Sequence, residues 1–286
     1  MFLEIHARPG AAEMHGGPGF LPWHRAFVLN LERKLQSVDP SVTIPYWKFD
    51  EPAPNILSQD FMGSKPTAAG DSYADFSPNN PLNAWNVPDG PGIRRVTLFE
   101  DNGVPSQTGT RNEVATLALG STYGNFRGME TNPHGDIHRS SGQTGDWLIN
   151  TSVATRDPLF FLLHGNIDRL WAKWQGINNR FDLNTSSYNL TGSFEQAANP
   201  AAHIGHYPLD TMWPWNGITG TFTGSGSVRK DERPTTAPGG PFPSALSFDN
   251  APVPAPQPYH MIDYKNNRLL SAPNSGLGFS YDDVPF

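Results

Sequence analysis

Two stretches of the chain place apolar and polar residues with the period of an α-helix. In WHRAFVLNLERKL the apolar positions Phe27, Val28, Leu31 and Leu35 share one face, and Pro22 suits a first helical turn, so a helix is predicted over residues 22–37. Asp39-Pro40 ends it, and TIPYWKFDEPAP continues as an extended, aromatic connector with prolines near both ends. The second stretch, DPLFFLLHGNIDRLWAKWQ, predicts another long helix, with Asp157 as N-cap and Pro158 at the first position. Its stripe Phe160, His164, Ile167 and Trp171 marks a buried face, so His164 points inward.

Elsewhere the pattern weakens. Residues 52–125 are dominated by Gly, Pro, Asn and Ser, with one short helical candidate near 111–118. Residues 131–140 predict a short helix beginning near Thr131-Asn132-Pro133. Beyond Gln175 the chain turns polar and irregular, with strand candidates at GITGTFTG and YHMIDY. The proline-rich stretch 231–258 is too short for a domain of its own, and no internal repeat is visible. The 286 residues are therefore expected to form a single, mainly α domain with extensive loops and a few short strands.

Composition narrows the function. Charged residues are only 16% of the chain while Gly and Pro number 28 each, so helices should be joined by long irregular connections. A net charge of -7 without a basic stripe argues against nucleic acid or an anionic membrane as partner and favours a small neutral or weakly polar molecule. The absence of cysteine excludes disulfides, thiolate zinc sites, iron–sulfur clusters and blue-copper centres, so any metal must use nitrogen or oxygen ligands. No signal-peptide pattern opens the chain and no run is long enough to span a bilayer, so a soluble protein is expected. Three sequons, at Asn150, Asn184 and Asn189, leave a secreted form open.

Nine histidines occur, and six fall into two groups of three, each ending on a long apolar helix. In PHGDIH, His134 and His138 are four apart, so on a helix both rings leave one face and can chelate one ion. His164 follows 26 residues later. A buried imidazole needs partners for both nitrogens, which a metal on one side and an oxygen on the other would supply. In the first group the segment GGPGFLPW between His15 and His24 cannot be continuous helix, so His15 must ride on a loop folded over the helix start. His6 could complete that set, although terminal residues often fray. His203, His206 and His260 match no pattern and are expected in surface or loop roles.

HGGPGFLPWHRAFVLNLE followed by IPYW resembles the first copper-binding motif of the tyrosinase and catechol oxidase family, the type-3 copper proteins. PHGDIH followed by DPLFFLLHGNIDRLWAKW resembles the second, and the likeness extends to MWPWNG and to GFSYDDVPF, where the family's core domain closes. The resemblance implies a four-helix-bundle core holding two copper ions, with O2 as co-substrate. It places one ion on His6, His15 and His24 and the other on His134, His138 and His164, and implies oxidation of ortho-diphenols to quinones. Phe160 would pack between the ligand sets, Asn166 and Asp168 could orient ligand rings, and Glu130 matches a glutamate that holds a water near the coppers. A small phenol is the implied partner, and the chain's end implies no lid or shielding domain.

Several departures shape that expectation. Gly135 stands where monophenol-hydroxylating members often carry Asn, which favours diphenol oxidation over monophenol hydroxylation. Arg139 could guide a carboxylate-bearing phenol or pair with Asp136, and Thr151 aligns with a position that carries a bulky gate in some members. No cysteine is available for the thioether that ties a first-site histidine in many members. The family usually has a helix before the first ligand; here five residues precede His6, so either the start is trimmed or His6 is not the ligand. Rival expectations are an oxygen carrier, an ortho-aminophenol oxidase, and a two-zinc hydrolase, which would normally add carboxylate ligands. Leu163 replaces the first of two adjacent histidines common in the family; successive helical residues project about 100° apart, so only His164 can face the metal. Leu163→His is therefore expected to preserve copper stoichiometry while shifting activity or substrate preference; loss of one copper in metal analysis would refute the assignment.

Overall fold

The computed structural model describes residues 2–6, 14–52, 54–68, 71–88, 90–95, 109–140, 145–181, 212, 214–215, 258–265, 277 and 279–284. It is mainly helical. The helices are α1 (Phe2–His6), α2 (Phe20–Gln36), α3 (Glu113–Leu117), α4 (Tyr123–Phe126), α5 (Asp136–Ser140), α6 (Leu159–Asn178) and α7 (Pro258–Ile262). Among the described residues the strands are β1 (Asn86–Val87) and β2 (Gly90–Pro91), an antiparallel pair in which Asn86 faces Pro91 and Val87 faces Gly90. No described helix is long and apolar enough to cross a membrane.

α2 begins two residues before the predicted start and keeps Pro22 inside its first turn, where a missing N–H costs nothing. Arg33 and Lys34 lie in its last turn, favourable against the helix dipole, and the Asp39 N–H returns to the Leu35 carbonyl at 2.9 Å. α6 starts one residue later than predicted, so Pro158 rather than Asp157 holds the cap position. Asp157 still caps in effect, because one carboxylate oxygen accepts the Leu159 N–H at 2.9 Å. Arg95 grips both oxygens of the same carboxylate at 2.6 and 2.9 Å, with both side chains fully buried. From Leu159 to Gln175 α6 is buried on all sides except at Lys173, not on one stripe as its sequence pattern suggested. Asn179 ends it in the left-handed conformation, φ 51°.

Arg25 joins the scaffold. Its guanidinium donates to Asp168 (2.6 Å) and Gln175 (3.0 Å) on α6 and to the Met261 carbonyl (2.6 Å) on α7. It also lies 3.8 Å from the Trp171 ring and 4.5 Å from that of Tyr264. The Tyr281 hydroxyl donates to the second Asp168 oxygen at 2.6 Å, and Arg169 and Lys173 hold Asp283, so residues 279–284 are strapped across α6. Phe20, Trp23, Phe27, Phe160, Phe161 and Trp171 fill the core between α2 and α6.

Three expectations change here. The strand candidate 259–264 is α7 and the turn after it. Met261 and Ile262 are adjacent and both buried, which no half-buried strand allows, and their carbonyls are taken by Arg25 and Gln175. The candidate GITGTFTG lies outside the described residues. The helix expected over 131–140 is interrupted at Asn132, whose extended backbone (φ -147°, ψ 116°) is what a following proline imposes, leaving a wide turn over Thr131–Gly135 before α5. His260, expected in a surface or loop role, is buried on α7, and that burial pushes its pKa down to about 4. His203 and His206 lie outside the described residues.

Arg95→Leu would leave the Asp157 carboxylate buried without its cation, and a loss of about 3–5 kcal/mol is expected in denaturant unfolding. A change below about 1 kcal/mol would mean that the pair is dispensable to the start of α6.

Candidate metal centre

Four helices, one wide turn and one loop deliver six imidazoles to the interior. His6 closes α1, His24 lies in the second turn of α2, His134 stands in the wide turn before α5, His138 lies in α5 and His164 in α6. His15 rides on the loop before α2, as its glycine-rich neighbours led one to expect. Gly16 has φ +68°, a conformation that favours glycine, and the Tyr123 hydroxyl fixes the loop by donating to the Pro18 carbonyl at 2.6 Å.

The rings form two sets. Within His6, His15 and His24, and within His134, His138 and His164, one nitrogen from each residue lies within 4.8 Å of the others. His6 and His24 approach through their Nε2 atoms at 3.4 Å, and His138 and His164 at 3.3 Å. The sets face each other, with the rings of His24 and His164 stacked at 4.3 Å and 10° between planes.

Backbone carbonyls orient the rings. Nδ1 of His6 meets the Thr151 carbonyl at 2.8 Å, that of His24 the Phe20 carbonyl at 2.8 Å, that of His134 the Glu130 carbonyl at 2.9 Å and that of His138 the Leu148 carbonyl at 2.7 Å. A carbonyl can only accept, so Nδ1 carries the proton and Nε2 is the unprotonated nitrogen. Burial holds the imidazoles of His6, His24, His134 and His164 well below their ordinary pKa and pushes His138 down to about 4, so these rings are neutral near pH 7. The His134 Nε2 is buried without any hydrogen-bond partner. A nitrogen-only set of neutral imidazoles with an orphaned lone pair fits copper and offers no hard carboxylate oxygen.

Phe160 stands between the sets, its ring 4.2 Å from that of His164 and 4.8 Å from that of His6. The sequence reading missed Phe20, whose ring lies 4.8 Å from His24 and 4.7 Å from His134. The signal was present: Phe20 precedes His24 by four residues as Phe160 precedes His164. Glu130 connects the two sets, for its carbonyl holds His134 while its carboxylate accepts the N–H of Gly16, next to His15. Burial raises its pKa to about 7, against the opposing Gly16 bond and Arg127.

Other candidates sit differently. Asp168 gives its carboxylate to Arg25 and Tyr281, and the Asn166 oxygen accepts from Arg169 at 3.0 Å, so neither orients a ligand ring directly. A buried guanidinium beside each claims the oxygen, and the carbonyls do the orienting. Arg139 pairs with Asp136 and extends over Gly135, where an added Cβ would lie 3.2 Å from its Nη1 and 3.4 Å from the Glu130 carbonyl. Thr151 has an exposed side chain and serves the first set through its carbonyl. Leu163 is fully buried in the core rather than forming the site's edge.

Residues 1–177 match the family model for the common central domain of tyrosinase. The chain belongs to the tyrosinase family. It is 33% identical over 230 residues to a tyrosinase of Streptomyces antibioticus, covering 68% of this chain and 80% of that one. A tyrosinase of Streptomyces lincolnensis is 31% identical over 244 residues, 73% of this chain and 85% of that one. A hemocyanin of Enteroctopus dofleini is 30% identical over 178 residues, 60% of this chain but 6% of that one. Among solved structures, deoxygenated hemocyanin from Rapana thomasiana superposes with a TM-score of 0.48 at 21% identity over 70% of this chain and 53% of that one. A polyphenol oxidase from Thermothelomyces thermophila gives 0.43 at 18% over 58% and 56%. Proteins of the tyrosinase family bind a dinuclear copper centre, and the two histidine sets fit one.

His134→Phe is expected to lower copper content from two ions per chain to one, with the far-ultraviolet circular dichroism unchanged. Retention of both ions in elemental analysis would remove His134 from the ligand set.

Proposed function

We propose that the protein oxidises ortho-diphenols to ortho-quinones with O2, using copper held by His6, His15 and His24 and by His134, His138 and His164. The observation that carries this reading is the pair of facing, carboxylate-free imidazole sets. Bound there, two copper ions would supply the two one-electron steps that convert a catechol to a quinone. Two catechols and one O2 give two quinones and two waters, so each turnover also moves protons.

The chain's own groups bear on those protons and on access. Glu130, with a pKa near 7, is the carboxylate suited to exchange a proton at neutral pH. Gly135 presents no side chain beside the Glu130 carbonyl, so a water there lacks the second oriented group that would help make it a base. That supports diphenol oxidation ahead of monophenol hydroxylation. Phe20 and Phe160 keep the space between the imidazole sets apolar. Arg139 is paired with Asp136 and half exposed, so a carboxylate-bearing phenol would have to compete with that partner. Asp168 acts at one remove, by fixing Arg25 next to His24.

The hemocyanin relatives support a second reading, reversible oxygen binding without turnover. Turnover of a monophenol and its matching ortho-diphenol by copper-loaded protein under O2 separates the two. The diphenol is expected to be oxidised at least about tenfold faster, a barrier difference of about 1.4 kcal/mol. Oxidation of neither by protein carrying two coppers would defeat the oxidase reading, and comparable rates would defeat the role given to Gly135.

A further inference from the structure

The turn between Trp147 and Val153 carries a carbonyl for each imidazole set. The Leu148 carbonyl accepts from His138 of the second set, and three residues later the Thr151 carbonyl accepts from His6 of the first. The segment between them is tightly folded. The Asn150 N–H returns to the Trp147 carbonyl at 3.1 Å, the Val153 N–H to the Asn150 carbonyl at 2.9 Å, and the Asn150 side-chain oxygen accepts the Ser152 N–H at 3.0 Å. Both ends are anchored, since Trp147, Leu148, Ala154 and Thr155 are buried and the Trp147 N–H donates to the Arg94 carbonyl at 3.1 Å. Asn150 and Thr151 themselves are exposed.

We propose that this turn is a positioning bracket: by holding His6 and His138 from carbonyls three residues apart, it sets the separation and relative orientation of the two metal sites. Neither Leu148 nor Thr151 touches the metal. Each carbonyl fixes the ring plane of one ligand, and the short covalent path between them prevents the two rings from moving independently. Glu130 makes a second link of the same kind, holding His134 by its carbonyl and the loop of His15 through Gly16. The two sets are thus cross-linked by groups that are not ligands. Loosening the bracket should leave each triad able to bind its ion while degrading the register between the ions. The proposal rests on the dinuclear copper reading, because the effect lies in the coupling of two ions.

The test is a single glycine inserted between Asn150 and Thr151, an exposed position where an added residue is tolerated. A glycine inserted between the exposed residues Pro40 and Ser41, remote in sequence from every proposed ligand, is the control. Both proteins and the parent are loaded with Cu(II) and examined for metal content and electron paramagnetic resonance. A magnetically coupled copper pair is silent, whereas uncoupled Cu(II) gives a signal. The parent and the control are expected to bind two coppers and stay silent. The variant is expected to bind two coppers and to show a signal from a substantial fraction of them. A fully silent variant with two coppers would overturn the bracket, as would loss of copper with a disordered fold in that variant alone, which would make the turn merely structural. Asn150→Ala, which removes the acceptor for Ser152 without lengthening the turn, is a milder second variant. It is expected to give a smaller signal, with Asn150→Asp restoring silence; equal silence in both would count against the bracket. A parent that fails to form a silent pair would defeat the copper reading itself, independently of the bracket.

Discussion

Burying several imidazoles in an apolar core sets the terms for the rest of this structure. Water is excluded from His6, His24, His134 and His164, so each ring loses a hydration shell and its protonated form becomes unfavourable. The fold answers half of that demand with backbone carbonyls on Nδ1 of His6, His24 and His134, leaves the Nδ1 of His164 unanswered, and brings Nε2 atoms within each set toward one another. The buried Nε2 of His134, left without a partner, is the clearest mark that the other half is to be met by something the protein binds.

Holding the rings in that arrangement is the task of α2 and α6. Each carries one of the clustered histidines with a phenylalanine one turn before it, and each is fixed by a buried ion pair, Arg25 with Asp168 and Arg95 with Asp157. The charges lie where they brace helices rather than where they would compete for the metal. Arg25 follows His24 directly, so the contacts that dock α7 and residues 279–284 also restrain the first histidine set.

Much of the centre was legible along the chain. A helical repeat with histidine on its apolar face gave His24 and His164, and HxxxH spacing gave His134 and His138. Three features were not legible, for different physical reasons. Backbone carbonyls are the same at every residue, so nothing marked Leu148 and Thr151 as the acceptors for His138 and His6. A short apolar run is ambiguous, and α7 was mistaken for a strand because its burial comes from two other helices. Asp168 was only a candidate for orienting a ligand ring, because no sequence pattern could show that Arg25, 143 positions away, would take its carboxylate.

The sequence by itself determined which residue types meet: spacing along a helix is a local property, and it selects the face on which a histidine lies. It also determined which metal chemistry was open, since a cysteine-free chain with two histidine triplets leaves nitrogen donors in command. Tertiary structure alone decided that the triads face each other, that Glu130 reaches the loop of His15, and that one short turn serves both sets. Apart from the local bond of Leu148 to His138, those relations join residues more than a hundred positions apart, and such contacts exist only once the helices have packed.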